Sequence, residues 1–295
     1  MAKKSLSPET FNTLFFAVFL VVAILLAWGV TGVVQLVRRQ AEEKEMEAET
    51  QGDGGSPTVT YRLQEPQSGP FFLCSPAAPW SEDEVDSAGQ GLVPLTPLGG
   101  GETPYALAER GLRLKGEALL ALHALCTDLI AAGYPVTPYV TRAYLTYEEA
   151  GAAAGTTCLH TGYGISLSLC PSEGELLSLS AAGSDPRTAG AALWLSTYAP
   201  AYGFVTPEGE ADVLYCVGVP HALAMRQGGL SLSAYCDALR LYTREAPWSL
   251  VWQGSRFLLF YLPADHGAAT LTLSSDTAFF SCGDGARGFF VALAE

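Results

Sequence analysis

Chemistry in this chain has to be built around one run, Cys158-Leu-His-Thr-Gly-Tyr-Gly-Ile-Ser-Leu-Ser-Leu169, and the polar residues that follow it, Glu210, Asp212 and His221. A zinc ion needs three or four nitrogen, sulfur or carboxylate donors converging at about 2.0–2.3 Å. His160, Asp212 and His221 are a set that could supply them. Hydrolysis without a metal would need Ser166 or Cys158 as nucleophile and His160 as its base. Ser166 and His160 share a strand face only where no bulge intervenes, and no serine or cysteine hydrolase signature surrounds them. Taken singly, His160 reads as a structural imidazole, partly exposed or hydrogen-bonded. His123, beside an apolar stripe, reads the same way, and His266 stands in a segment without a ligand cluster.

Several elements must position these residues. Apolar side chains at Ala118, Leu119, Leu122, Leu125, Cys126, Leu129 and Ile130 recur with helical spacing and predict an amphipathic helix over 114–132, stopped by Gly133. Val136–Thr141 reads as a strand, and the run from 158 to 169 as the strand that carries the candidate site. Leu176–Ser180 reads as an edge strand. Ser184 or Asp185 with Pro186 predicts a helix start, and Ala191–Phe204 its body. His221 falls on a helix after the strand that ends at Val217, and Leu230–Leu239 is a further helix capped by Ser231 or Ser233. From Trp248 the period changes to two, in Phe257–Leu262, Ala269–Leu273, Phe279–Cys282 and Gly288–Leu293, which predicts a small antiparallel β module of about four strands.

Four of these blocks, in order, resemble the VanY-like D-alanyl-D-alanine carboxypeptidases. That family's zinc-binding strand reads Ser-x-His-His-Thr-Gly-Tyr-Ala-Val-Asp-Leu. Matching its Thr-Gly-Tyr to Thr161, Gly162 and Tyr163 puts Leu159 at the first zinc-binding His and Ser166 at the zinc-binding Asp. Tyr144, Thr146, Tyr147, Glu148 and Glu149 match a second motif in which Leu145 stands at an arginine that contacts substrate. Arg142, three residues earlier, is the nearby guanidinium. Trp194-Leu through Tyr202-Gly-Phe204 matches a third block, and counting back from Val217-Gly218 puts Val213 at the last zinc-binding His and Glu210 at the general base. Leu230–Leu239 matches the family's following helix.

The resemblance implies an α+β fold with an antiparallel central sheet and flanking helices, followed by the small C-terminal β module, and a relation to peptidoglycan stem peptides. Because Leu159, Ser166, Val213 and Leu145 cannot ligate zinc or hold a carboxylate, the leading expectation is a catalytically inactive pseudoenzyme without a cofactor. Its cleft, lined by Tyr144, Tyr147, His160, Tyr163 and Tyr215, would bind a peptidoglycan peptide or a cell-envelope protein, with Glu210 a remnant of the catalytic set. The alternative is an active zinc D,D-carboxypeptidase with the rearranged ligands His160, Asp212 and His221.

Sixteen Lys and Arg against 30 Asp and Glu give a formal net charge of −14, a surface that repels phosphate backbones and argues against a nucleic-acid partner. The seven cysteines, Cys74, Cys126, Cys158, Cys170, Cys216, Cys236 and Cys282, contain no Cys-x-x-Cys pair and read as buried thiols. Thr10–Val37 carries no charged residue and is longer as a helix than the ~30 Å hydrocarbon core of a bilayer, which predicts a transmembrane anchor in the lipid bilayer. The expected organisation is residues 1–9 cytoplasmic, 10–37 the transmembrane helix, 38–60 a charged stalk, 61–244 the carboxypeptidase-like domain and 245–295 the β module. The resemblance sets the expected orientation, a single-pass cell-membrane protein with its C-terminal domain extracellular.

Overall fold

The computed structural model describes residues 58–64, 69–71, 78–95, 103–285 and 287–295. Among these residues no helix is long and apolar enough to cross a membrane. This corrects the expected single-pass, extracellular placement: a spanning helix needs about 20 mostly apolar residues, and residues 10–37, where it was expected, lie outside those described. Most of the expected stalk and Cys74 lie outside them as well.

The chain divides into two units, Met1–Arg62 with Leu271–Phe280, and Leu63–Thr270 with Ser281–Glu295. In the first unit, strand β1 (Thr58–Gln64) contributes a hydroxyl pair, Thr60 with Thr272 at 3.0 Å, and the Tyr61 ring lies 4.7 Å from that of Phe279.

The second unit opens with helix α1 (Glu82–Ala88), whose Ser81 and Glu84 bond reciprocally to each other's backbone amides as a capping box. Short strands β2 (Val93–Pro94), β3 (Ala106–Leu107) and β4 (Arg113–Leu114) lead into helix α2 (Gly116–Ala131). Strands β5 (Val136–Arg142), β6 (Gly164–Pro171) and β7 (Leu177–Ser178) follow, then helices α3 (Leu179–Ala182) and α4 (Ala189–Tyr198). Strands β8 (Phe204–Val205) and β9 (Val213–Cys216) complete a six-stranded sheet in the order β3-β5-β6-β9-β8, with β7 beside β6. Its pairings are antiparallel except β3 on β5. The α+β class and the mainly antiparallel centre agree with the sequence expectation.

Alternation sorts the strands' side chains. Val140, Ile165, Leu167, Leu169 and Leu214 point to one face and pack in a single core cluster with Ala118, Leu119, Leu122, Leu125, Cys126 and Leu129 of α2. That is the predicted helical stripe, save Ile130, which is 48% exposed. Burying a Leu or Ile side chain stabilises by about 1.5–3 kcal/mol, so this cluster fixes the sheet's register and leaves its other face to carry polar residues. Two local expectations shift. Asp185 does not open α4 but ion-pairs with Arg187 at 2.6 Å, and only β7 forms from Leu176–Ser180 before the chain turns into α3.

Helices α5 (Val219–Gly228) and α6 (Leu232–Leu239) follow, the latter capped by the Ser231 side chain as expected. Strands β10 (Trp248–Trp252), β11 (Ser255–Pro263), β12 (Ala268–Ser274), β13 (Ala278–Gly283) and β14 (Gly288–Ala294) form the C-terminal part. The four-stranded sheet runs β10-β11-β14-β13, while β12 pairs with β1 instead, so the module's fourth strand is the Trp248 segment rather than Ala269–Leu273. Asp284 accepts from the Arg287 and Gly288 amides at 2.7 and 3.0 Å and from Arg240 Nε at 3.3 Å, which ties this sheet to the end of α6.

Candidate functional site

The central strands bring Leu159, Ser166 and Val213, the three positions that the sequence resemblance matched to zinc ligands, onto one face. Ser166 of β6 lies directly opposite Val213 of β9, and Gly164, two residues back on the same face, lies opposite Tyr215. Opposed residues in an antiparallel pair project on the same side. Leu159 comes from the 3₁₀ turn Cys158–Thr161 that feeds β6, and a Cβ built on Gly164 would stand 3.2 Å from its Cδ2. Leu159, Ser166 and Val213 therefore converge, although Val213 is far from the other two in sequence. Two are hydrocarbon and one is a neutral hydroxyl, so the set does not fit a zinc ion.

Arg142 joins this row. Between Val140, which pairs with Leu167, and Arg142, which pairs with Ser166, the register shifts by one residue. Without the bulge, Arg142 would face Ile165, whose side chain is fully buried in the core. An extra residue flips a side chain to the opposite face, and here it sends the guanidinium to the Ser166 side.

His160 is completely buried and its ring holds two chain segments together. Nε2 accepts the Gly155 amide at 3.0 Å, so Nδ1 carries the proton and donates to the Leu145 carbonyl at 2.7 Å. Tyr147 stacks on the ring at 6.2 Å between centroids. Gly155 is required where it stands, with φ of +71° and the Trp80 carbonyl 2.4 Å from where a Cβ would be. With both nitrogens committed, the imidazole has no lone pair for a metal and cannot take a proton from Ser166 or Cys158.

The tyrosines are placed by their hydroxyls. Tyr144 donates to the Val85 carbonyl of α1 at 3.0 Å, Tyr163 to Glu117 Oε1 of α2 at 2.8 Å, and Tyr215 to the Pro70 carbonyl at 2.6 Å. Burial pushes all three hydroxyls above their ordinary range, with Glu117 adding to the effect at Tyr163. Tyr215 is fully buried and Tyr144 nearly so, whereas Tyr147 and Tyr163 are half-buried.

Glu210 does not stand as a base. Its Oε1 accepts the Cys158 amide at 2.8 Å and its Oε2 the Thr157 hydroxyl at 2.9 Å, capping the turn that carries Leu159 and His160. Thr157, its partner, was not singled out in the sequence, where only its place before the turn gave a signal. Glu210→Ala leaves a buried amide unsatisfied and is expected to destabilise the fold by about 1–3 kcal/mol, read as a lower urea midpoint at unchanged slope.

The rearranged ligand set is not brought together. His221 is fully buried and bonded through Nδ1 to the Tyr235 hydroxyl at 2.7 Å, Asp212 Oδ1 accepts the Ser180 amide at 2.8 Å, and His160 is spent as described. Among the described residues no group of three His, Cys, Asp or Glu side chains is arranged to hold a metal ion. The six described cysteines are free thiols, five of them buried.

Sheet order, the flanking α2 and the turn before β6 together define the fold of the D,D-peptidases of the VanX and VanY kind. The crystal structure of the vancomycin-resistance D,D-dipeptidase VanXYg in complex with a D-Ala-D-Ala phosphinate analog has TM-score 0.64 to this chain, at 18% identity over 81% of this chain and 99% of that one. The LD-carboxypeptidase LdcB has TM-score 0.39 at 16% identity, covering 50% of this chain and 78% of its own. A D,D-pentapeptidase VanY with Zn(II) has TM-score 0.38 at 18% identity, covering 56% and 98%. No family model and no curated protein matches the sequence.

Proposed function

We propose that this protein binds peptide ends of the peptidoglycan stem type and does not hydrolyse them. One observation carries the reading: the positions that converge on the face of the central sheet away from α2 are Leu159, Ser166 and Val213, a set without a metal donor, in a fold shared with a D,D-dipeptidase that binds a D-Ala-D-Ala analog. A water molecule activated for attack needs a metal or a base. The base position holds Glu210, whose carboxylate is already committed to Cys158 and Thr157. What remains is shape. Tyr147 is half-buried and stacks on His160, Tyr163 packs towards α2 through its bond to Glu117, and His160, Tyr144 and Tyr215 hold the walls in place from within.

The test uses the full chain, loaded with zinc and desalted, then mixed with N-acetyl-L-Lys-D-Ala-D-Ala. The expected result is saturable binding by calorimetry, zinc well below one per chain by elemental analysis, and no D-alanine released above buffer. One zinc per chain together with D-alanine release would replace this reading with the active carboxypeptidase.

A further inference from the structure

Arg142 is exposed, and its guanidinium has no acidic partner among the described residues. Three other arginines are paired with acids, Arg187 with Asp185, Arg240 with Asp284 and Arg256 with Glu295, whereas Arg113 lies over the Tyr144 ring and Arg226 donates to the Thr197 carbonyl. The Ser166 hydroxyl beside Arg142, half-buried, also has no hydrogen-bond partner among the described residues. Two donors without acceptors thus stand side by side across β5 and β6, against the apolar Leu159 and Val213.

We infer that this row is a carboxylate-binding site, with Arg142 as its cation and Ser166 as its second donor. A planar guanidinium takes both oxygens of a carboxylate in parallel. A neighbouring hydroxyl donates to the remaining lone pair, and the buried hydrocarbon of Leu159 and Val213 lowers the dielectric on the Ser166 side of the pair, which strengthens that hydrogen bond. The ligand class is the C-terminal carboxylate of a peptide. The site holds its anion with a fixed organic charge at the place where the zinc positions meet, and recognition there needs no metal. The identity of the peptide rests on the proposed function above, whereas the anion site rests on the bulge, the register and the two donors.

The experiment compares N-acetyl-L-Lys-D-Ala-D-Ala with the same peptide as its C-terminal amide, titrated into the full chain and into Arg142→Gln and Ser166→Ala. The acid is expected to bind at least about tenfold more tightly than the amide. Arg142→Gln is expected to bring the acid down to the amide's affinity with an unchanged melting temperature, and Ser166→Ala to cost a few-fold, about 2 to 5. Equal binding of acid and amide, or full affinity of Arg142→Gln for the acid, overturns the inference and leaves the proposed function standing. If neither peptide binds, the proposed function falls, and the site is judged with acetate alone. A saturable shift of the side-chain Nε–H resonance that is missing from the Arg142→Gln spectrum retains the carboxylate site, and no shift overturns it.

Discussion

The triple substitution Leu159→His, Ser166→Asp and Val213→His is expected to turn a chain that takes up zinc only in traces into one that holds about one zinc per chain. The expectation follows from convergence. Ser166 and Val213 are directly opposed across β6 and β9, and Leu159 lies over Gly164 on the same face, so three donors introduced there share one side of the sheet. Before metal is added the variant should be less stable than the native chain. Leu159 and Val213 are buried, at 3% and 5% exposure, and a polar group buried without a partner costs about 1–3 kcal/mol. Zinc then returns stability by mass action, about 2.7 kcal/mol when free metal exceeds its dissociation constant a hundredfold. The readouts are metal content and a zinc-dependent rise in melting temperature seen only in the triple variant. An equal response in the native chain would show that metal is held by residues other than these. Hydrolysis is not expected to follow, because Glu210 remains committed to Thr157 and Cys158.

A second large effect should appear on acidification, through His221. Burial holds its pKa down at about 3 against an ordinary value of 6.5. Between those values the unfolded chain binds a proton that the folded chain refuses. The stability contribution is therefore complete above about pH 6.5 and is lost as pH falls from there towards 3. The slope is about 1.4 kcal/mol per pH unit, or on the order of 2 kcal/mol between about pH 6.5 and 5, a substantial part of the roughly 5–15 kcal/mol typical of a folded domain. His221→Phe keeps a ring against Phe71, whose centroid lies 4.9 Å away, and removes the titration. At neutral pH it should cost about 1–2 kcal/mol, since the Tyr235 hydroxyl loses its partner. Its stability should fall less steeply than the native chain's over that pH range. Parallel urea-unfolding curves for the two proteins at each pH would remove His221 from this role.

Much of the fold was readable from periodicity. The α2 stripe from Ala118 to Leu129 was legible because residues three and four apart share a helical face and must be buried together. Of the run 158–169 read as a strand, only the part from Gly164 is one, because Cys158–Thr161 winds into a 3₁₀ turn closed by Gly162 in the left-handed region, whereas the Ser231 cap was legible from its hydroxyl before an apolar run. Which strand pairs with which was not legible. Ala269–Leu273 has the pattern of a module strand, yet β12 pairs with β1, because alternation states that one face is buried and not against which neighbour.

At the site the division is sharper. Residue types alone determined that Leu159, Ser166 and Val213 cannot ligate zinc, since no arrangement gives hydrocarbon a lone pair. Whether these positions meet, and what the neighbouring polar groups do, depended on hydrogen bonds and register that residue order does not encode locally. Glu210 reads in sequence as a remnant at the base position that the resemblance implies and is a cap in the fold, because its oxygens reach Cys158 and Thr157, more than 50 residues away. His160 reads singly as a structural imidazole, with ligand and base as the alternatives, and in the fold it is a clasp between Leu145 and Gly155. Arg142 stands three residues before the position where the resemblance places an arginine, and only the bulge after Val140 decides that it faces Ser166 rather than the core. Sequence by itself determined the chemical capacity of each side chain and the faces its elements had to bury. The tertiary structure decided the neighbours, because a one-residue shift in strand register costs little in local geometry and moves a side chain from one face of a sheet to the other.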